Sequence, residues 1–270
     1  MSEPVRIERV GAGGVVAHVV LDRPHVHNAL DAITIGALHQ AFVRLSNEGP
    51  AALRALVLRG EGASFCAGAD VAWMRDSAGL TREQNEADAM ALSAMLDAID
   101  RCPVPVIARV HGAALGGGMG LCAVSDLVIA EAGTRFGFTE TRLGILPAVI
   151  APFVVAKIGE THARALFPSG RRFDATRAVR IGLVHEVVEG DAALDRAVEA
   201  AVADLLQSGP TAVRAAKAIV REIRGLPHES TRSLTARRIA EQRVAEEGQE
   251  GLRAFLEKRR PAWAPEREDG

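Results

Sequence analysis

The sequence is short of the features that mark several large protein classes. It has no basic excess: 32 Lys and Arg stand against 34 Asp and Glu, a formal net charge of -2. Nothing therefore draws the chain as a whole toward nucleic acid or an anionic membrane surface. It has three cysteines, Cys66, Cys102 and Cys122, with no CxxC pair among them. Their apolar neighbours suit reduced thiols in a core. No stretch reaches the ~18 uninterrupted apolar residues that a membrane span needs, and residues 1–10 contain no apolar signal segment. A cytoplasmic location is the expectation.

Familiar catalytic signatures are missing as well. There is no GxxxxGK[ST], and no GxGxxG between a strand and a helix, because the glycines at 11–14 fall in an apparent hairpin. Gly62-Ala63-Ser64-Phe65-Cys66 fails the nucleophile-elbow pattern, since Cys66 stands where the last glycine belongs. Ser64 then reads as an ordinary loop serine. The eight histidines are scattered, and His185-Glu186 and His228-Glu229 lack a second histidine at ligand spacing. No catalytic metal and no separate cofactor are expected.

What the chain does have is room for a core and glycines in clusters. Its 270 residues, 48% of them hydrophobic, suit one α/β core at 1–190 and a helical region at 191–270. Short apolar runs at 5–10 and 15–21 read as a strand pair. Asp31 opens a helical pattern with Ile33, Ala37, Leu38, Ala41, Phe42 and Leu45 on its apolar stripe. Strands are expected at 53–59 and 106–110, each running into glycine, at 60–70 and 111–118. Thr81 with Gln84 makes a capping box for a helix reaching Arg101. The triple glycine 116–118 is placed at a buried helix N-terminus. Two further short strands are expected at 127–130 and 135–138. Helices follow at 193–206, 210–224 and 230–258, punctuated by Gly209, Gly225 and Gly248, before a charged tail at 265–270 expected to be disordered.

Two glycine turns that follow strands can aim backbone N–H groups at one point, the make-up of an oxyanion hole, although glycine clusters also serve tight turns and close packing. Glu140 is a carboxylate in an otherwise apolar stretch, residues 136–147. Such a setting raises a carboxyl pKa and suits acid/base work near neutral pH. A lone Glu can equally be one half of a surface ion pair.

Three segments taken together carry a resemblance: Ser64-Phe-Cys-Ala-Gly-Ala-Asp70, Gly112-Ala-Ala-Leu-Gly-Gly-Gly118 and Phe136 through Pro147. They resemble the signature segments of the crotonase (enoyl-CoA hydratase/isomerase) superfamily. Leu21-Asp-Arg-Pro24 with Asn28-Ala-Leu30 is similar to that family's first CoA-contacting loop, and the segment 251–263 to its closing helix.

The resemblance implies a spiral of ββα turns, twisted sheets surrounded by helices, and a C-terminal helical trimerisation region assembled as a trimer or a dimer of trimers. It implies an acyl-CoA substrate, coenzyme A being part of that substrate. Carried over residue by residue, the amides of Ala69 and Gly117 form the oxyanion hole and Glu140 is the catalytic acid/base. Asp70 and Val71 line the pantetheine and acyl path. Arg23 and His25, with His27, belong to the loop that meets CoA, and residues 258–260 are a second candidate for its phosphates. An Asp at a helix start also serves as a cap, and these cations also serve as solvated surface charge.

The sequence departs from the family pattern twice. Hydratases that resemble it carry a further glutamate where Gly120 stands, and a run of glycines where Leu146-Pro-Ala-Val-Ile-Ala-Pro-Phe153 stands. Both departures resemble the subset that hydrates branched, carboxylated substrates such as 3-methylglutaconyl-CoA or isohexenylglutaconyl-CoA, in leucine or terpene breakdown. Double-bond isomerisation, which needs one base and no water, is the alternative. Thioester hydrolysis and non-catalytic acyl-CoA binding are further ones.

Overall fold

The computed structural model describes residues 3–77 and 79–265; the tail beyond Pro265 lies outside them. The first two apolar runs form β1 (Val5–Val10) and β2 (Val16–Leu21), paired antiparallel across a one-turn 3-10 helix at Ala12–Gly14. Beyond them lie β3 (Ala55–Gly60), β4 (Val106–Val110), β5 (Ala113–Leu115), β6 (Leu127–Glu131), β7 (Arg135–Gly137), β8 (Phe173–Asp174) and β9 (Glu186–Val188). The main sheet has the order β1-β2-β3-β4-β6-β9 and is parallel from β2 onward. A three-stranded sheet, β5-β7-β8, stands beside it and carries the site.

Parallel strands need crossovers, and helices supply them. They are α1 (Ala32–Ser46), α2 (Val71–Ser77), α3 (Arg82–Asp100), α4 (Gly117–Val124), α5 (Ala151–Leu166) and α6 (Ala175–Arg180). Asp31 caps α1 by accepting from Thr34 N at 2.7 Å, and the Thr81–Gln84 capping box opens α3. One expected stripe position is corrected: Ile33 is 71% exposed, and Ile35 takes its place in the core at 3%. Two residues apart on a helix of 3.6 residues per turn lie on nearly opposite sides, so only one of them can face the sheet.

Both faces of the main sheet are buried, which explains why its strands read as continuous apolar runs. Leu56, Leu58, Val106 and Ala108 pack with Leu38 and Phe42 of α1 and Met95 and Leu96 of α3. Val57, Ile107 and Ile129 face the other way, against Leu194 and Val198 of α7 (Asp191–Gln207). The helical region from Asp191 thus begins as a layer of the core. It continues as α8 (Pro210–Glu222), α9 (His228–Val244) and α10 (Glu246–Leu256). Arg54 and Arg214 fasten it, donating to the carbonyls of Leu206, Ser208 and Trp263 and of Glu48, Gly49 and Leu53 respectively.

The long helix expected at 230–258 is two helices, and the break falls at Ala245, whose backbone is extended (φ -66, ψ 153), rather than at Gly248. Gly248 lies inside α10, where a Cβ would collide with the carbonyl oxygen of Gln242. Its glycine therefore serves the close approach of two helices. No described helix is long and apolar enough to cross a membrane.

Candidate active site

Glu140 is delivered by β7. Phe136 and Phe138 are fully buried, and Phe138 meets Phe167 edge-on with ring centroids 4.8 Å apart. The chain then enters a one-turn 3-10 helix at Glu140–Leu143, held by Thr141 Oγ1 donating to the Phe167 carbonyl at 3.0 Å. The carboxylate therefore sits at the start of a short, anchored turn, a placement in which little side-chain freedom has to be lost on binding.

The triple glycine faces it. Gly116 adopts φ 47, ψ -113, which a residue with a Cβ rarely tolerates, and turns the chain from β5 into α4. Its N–H donates to the Gly137 carbonyl at 3.0 Å, tying this turn to the strand that carries Glu140. A Cβ on Gly116 would stand 3.6 Å from Glu140 Oε1, so the carboxyl group lies over glycine backbone. Gly117 is the first residue of α4, and its N–H has no intrahelical acceptor.

The loop 66–70 supplies the second amide. Leu30 N donates to Gly68 O at 2.7 Å, and Asp70 N donates to Leu30 O at 2.9 Å. Alternate groups of an extended segment face opposite sides, so the Ala69 N–H between them points away from Leu30 and stays unpaired among the described residues. A Cβ on Gly68 would reach 3.0 Å from Leu115 O and 3.6 Å from Gly116 Cα, and this contact brings the two loops together.

Ala69, Gly117 and Glu140 line one cavity of about 340 Å³. Glu140 Oε2 is buried and has no hydrogen-bond partner among the described residues, and burial pushes the Glu140 carboxyl above the ordinary range. A raised carboxyl group so placed suits proton transfer, and the two free amides suit an oxygen that gains negative charge.

Other expected site residues lie elsewhere. Asp70 Oδ1 caps α2, accepting from Ala72 N at 2.8 Å, and Asp70 Oδ2 meets Arg23 Nη2 at 2.9 Å. Burial works against the charged form of Asp70, but these amide and guanidinium partners outweigh it and hold the carboxyl below the usual range. The Arg23 guanidinium also binds Asp31 at 3.0 Å and the Ala29 carbonyl at 2.6 Å. Arg23 and Asp70 thus hold each other, and neither lines the cavity. Val71 is 67% exposed at the start of α2, outside the cavity wall. His25 is exposed on a 3-10 turn, and His27 Nδ1 pairs with Ser64 Oγ at 3.1 Å.

The two departures noted in the sequence meet in space. A Cβ on Gly120 would stand 2.6 Å from Ile150 Cγ2, and Ile150 is a buried residue of the cavity wall. The volume a second glutamate would need is occupied by this isoleucine. The cavity wall also holds residues that the sequence reading missed: Trp73 of α2, and Asn85, Asp88 and Leu92 of α3. Their spacing of three and four residues puts them on one face of α3, but nothing local distinguishes that face from one packed on the core.

The chain is similar to known proteins over nearly its whole length. A family profile described as enoyl-CoA hydratase/isomerase matches residues 11–266. An enoyl-CoA hydratase structure from Shewanella pealeana is 37% identical, with a TM-score of 0.90 and 96% of each chain covered. Pseudomonas aeruginosa AtuE is also 37% identical, with a TM-score of 0.93, covering 97% of this chain and 100% of that one. Among curated sequences, the mevalonyl-coenzyme A hydratase sidH of Aspergillus fumigatus is 33% identical over 260 residues, 92% of this chain and 90% of that one.

Proposed function

The chain belongs to the enoyl-CoA hydratase/isomerase family, and from that premise we propose that it adds water to, or removes it from, an acyl-CoA branched at C3, with Glu140 as its single acid/base. The thioester oxygen enters the hole formed by the Ala69 and Gly117 amides. Glu140 takes a proton from water as the oxygen bonds to C3, and the C2–C3 π electrons move into the thioester as an enolate. Glu140 then returns its proton to C2. Hydrogen and hydroxyl are added, and the carboxylate is regenerated.

The observation that carries this reading is Glu140, whose buried Oε2 meets no partner among the described residues, beside two free amides, with Ile150 packed where a side chain on Gly120 would stand. In the direction of water removal, an alkyl branch at C3 stabilises the positive charge that builds there as the hydroxyl leaves, so departure depends less on a second carboxylate. The mevalonyl-CoA hydratase among the relatives acts, by its name, on an acyl group branched at C3. A carboxylated acyl chain finds less support: among the described residues, no Lys, Arg or His lines the cavity. The test is mass spectrometry of 3-methylbut-2-enoyl-CoA and its hydrated form after incubation, with Glu140→Gln as control. Gain or loss of one water by the wild type alone supports the assignment.

Isomerisation of a 3-enoyl to a 2-enoyl thioester is the second reading, favoured by the same apolar plug. One carboxylate shuttling a proton between C2 and C4 suffices for it, and turnover without a mass change would select it. For the assembly, the exposed Leu252, Phe255 and Leu256 of α10 support self-association, with the trimer or dimer of trimers implied by the resemblance as our reading.

A further inference from the structure

We propose that Asp88 selects the acyl group, accepting a hydrogen bond from a hydroxyl at its far end and turning away acyl chains that end in a carboxylate. The inference rests on the acyl-CoA reading above and adds the substrate's terminus to it.

Asp88 is half-buried on the wall of the cavity that holds Glu140. It forms no hydrogen bond or ion pair with any described residue, unlike Arg23 and Asp70, whose charges are spent on each other. It lies on the face of α3 that also presents Ala89 and Leu92 to the cavity, so its free lone pairs are available only to an occupant or to water. The other charged side chain on the wall is Glu140, and among the described residues no cation stands there.

This charge pattern decides between termini. An acyl carboxylate would enter a partly desolvated space with two negative groups and no counter-ion, where like charges repel more strongly than in water. A hydroxyl brings the donor that Asp88 lacks. A site built to accept a hydrogen bond discriminates well against ligands without the donor, because its own polar group is then left unpaired. The same wall holds Trp73 and Leu92 beside Asp88, apolar side chains that suit an acyl group rather than the CoA phosphates.

The experiment compares three CoA thioesters that differ only at the terminus: 3-methylbut-2-enoyl, 3-methyl-5-hydroxypent-2-enoyl and 3-methylglutaconyl. Wild type is expected to prefer the hydroxyl over the carboxylate by roughly tenfold or more in kcat/KM. Asp88→Asn should close most of that gap, and Asp88→Lys should invert the order. The unfunctionalised thioester, which offers Asp88 neither a donor nor a charge, is the reference against which both ratios are taken in each variant. Binding of the three saturated analogues, measured by calorimetry, gives the same comparison without turnover. A wild-type preference for the carboxylate, or an order unmoved by Asp88→Lys, overturns the assignment. If none of the three is turned over, the hydratase reading fails, while the binding order still decides the role of Asp88.

Discussion

Ile150 occupies the space above Gly120: its Cγ2 lies 2.6 Å from where a Cβ on that glycine would be. A glycine in α4 and an isoleucine 30 residues later, in a different segment, are therefore one structural feature, an apolar plug that leaves no room for a side chain at residue 120. Its consequence is mutational coupling between the two positions.

Gly120→Glu alone should destabilise the protein by about 1–3 kcal/mol, because the new side chain must displace a packed residue and bury its charge. Combined with Ile150→Gly, which removes the obstruction, the cost at Gly120 should shrink by at least ~0.5 kcal/mol, the size of coupling expected between contacting residues. Urea denaturation of the four variants of the cycle measures this. Additive effects would show that the two residues do not share the space.

Glu140→Gln should lower turnover by at least about a hundredfold, the usual scale for a general acid/base, while raising stability at neutral pH. The sign follows from burial, which raises the Glu140 pKa in the folded state. The native protein then holds this proton more tightly than the unfolded chain does. Stability from this group is full below the unfolded carboxylate range and falls as pH rises through the raised value, whereas the base form needed for catalysis appears over the same interval. Activity and stability should thus move in opposite directions with pH, and the variant's Tm should exceed wild type by about 1–3 °C at pH 7. A lower Tm in calorimetry would contradict the partnerless burial of Oε2.

Arg23 joins Asp70, Asp31 and the Ala29 carbonyl, and Asp70 adjoins the amide of Ala69. Arg23→Gln should cost roughly 1–3 kcal/mol of stability through the hydrogen bonds to charged groups that it removes. It should also lower kcat more than it raises KM for the CoA ester. A rise in KM alone would return Arg23 to the role of a CoA ligand.

Burial raises the Cys66 thiol to about 12 and pushes that of Cys122 up as well. With Cys102 also buried, the folded protein should react with thiol reagents only as fast as it opens. Titration with a chromogenic disulfide should detect almost no thiol in native buffer and three in denaturant. A fast-reacting native thiol would contradict this packing.

The sequence alone determined the elements with strong local causes. Asp31 and Thr81 carry side chains that satisfy helix N-termini, the strands end in glycine, and Glu140 is a single carboxylate in an apolar stretch; each of these signals acts within a few residues. Short segments such as β8, β9 and α6 have too few residues to show a period, and the break at Ala245 has no local marker. Which of Ile33 and Ile35 enters the core was decided by the sheet beneath α1. Tertiary structure alone paired Arg23 with Asp70, left the Ala69 and Gly117 amides free, and put Ile150 against Gly120 and Asp88 on the same wall as Glu140. These relations join residues 30 to 52 positions apart in the chain. Local propensity and periodicity do not reach across such separations; packing of the two sheets and their helices does.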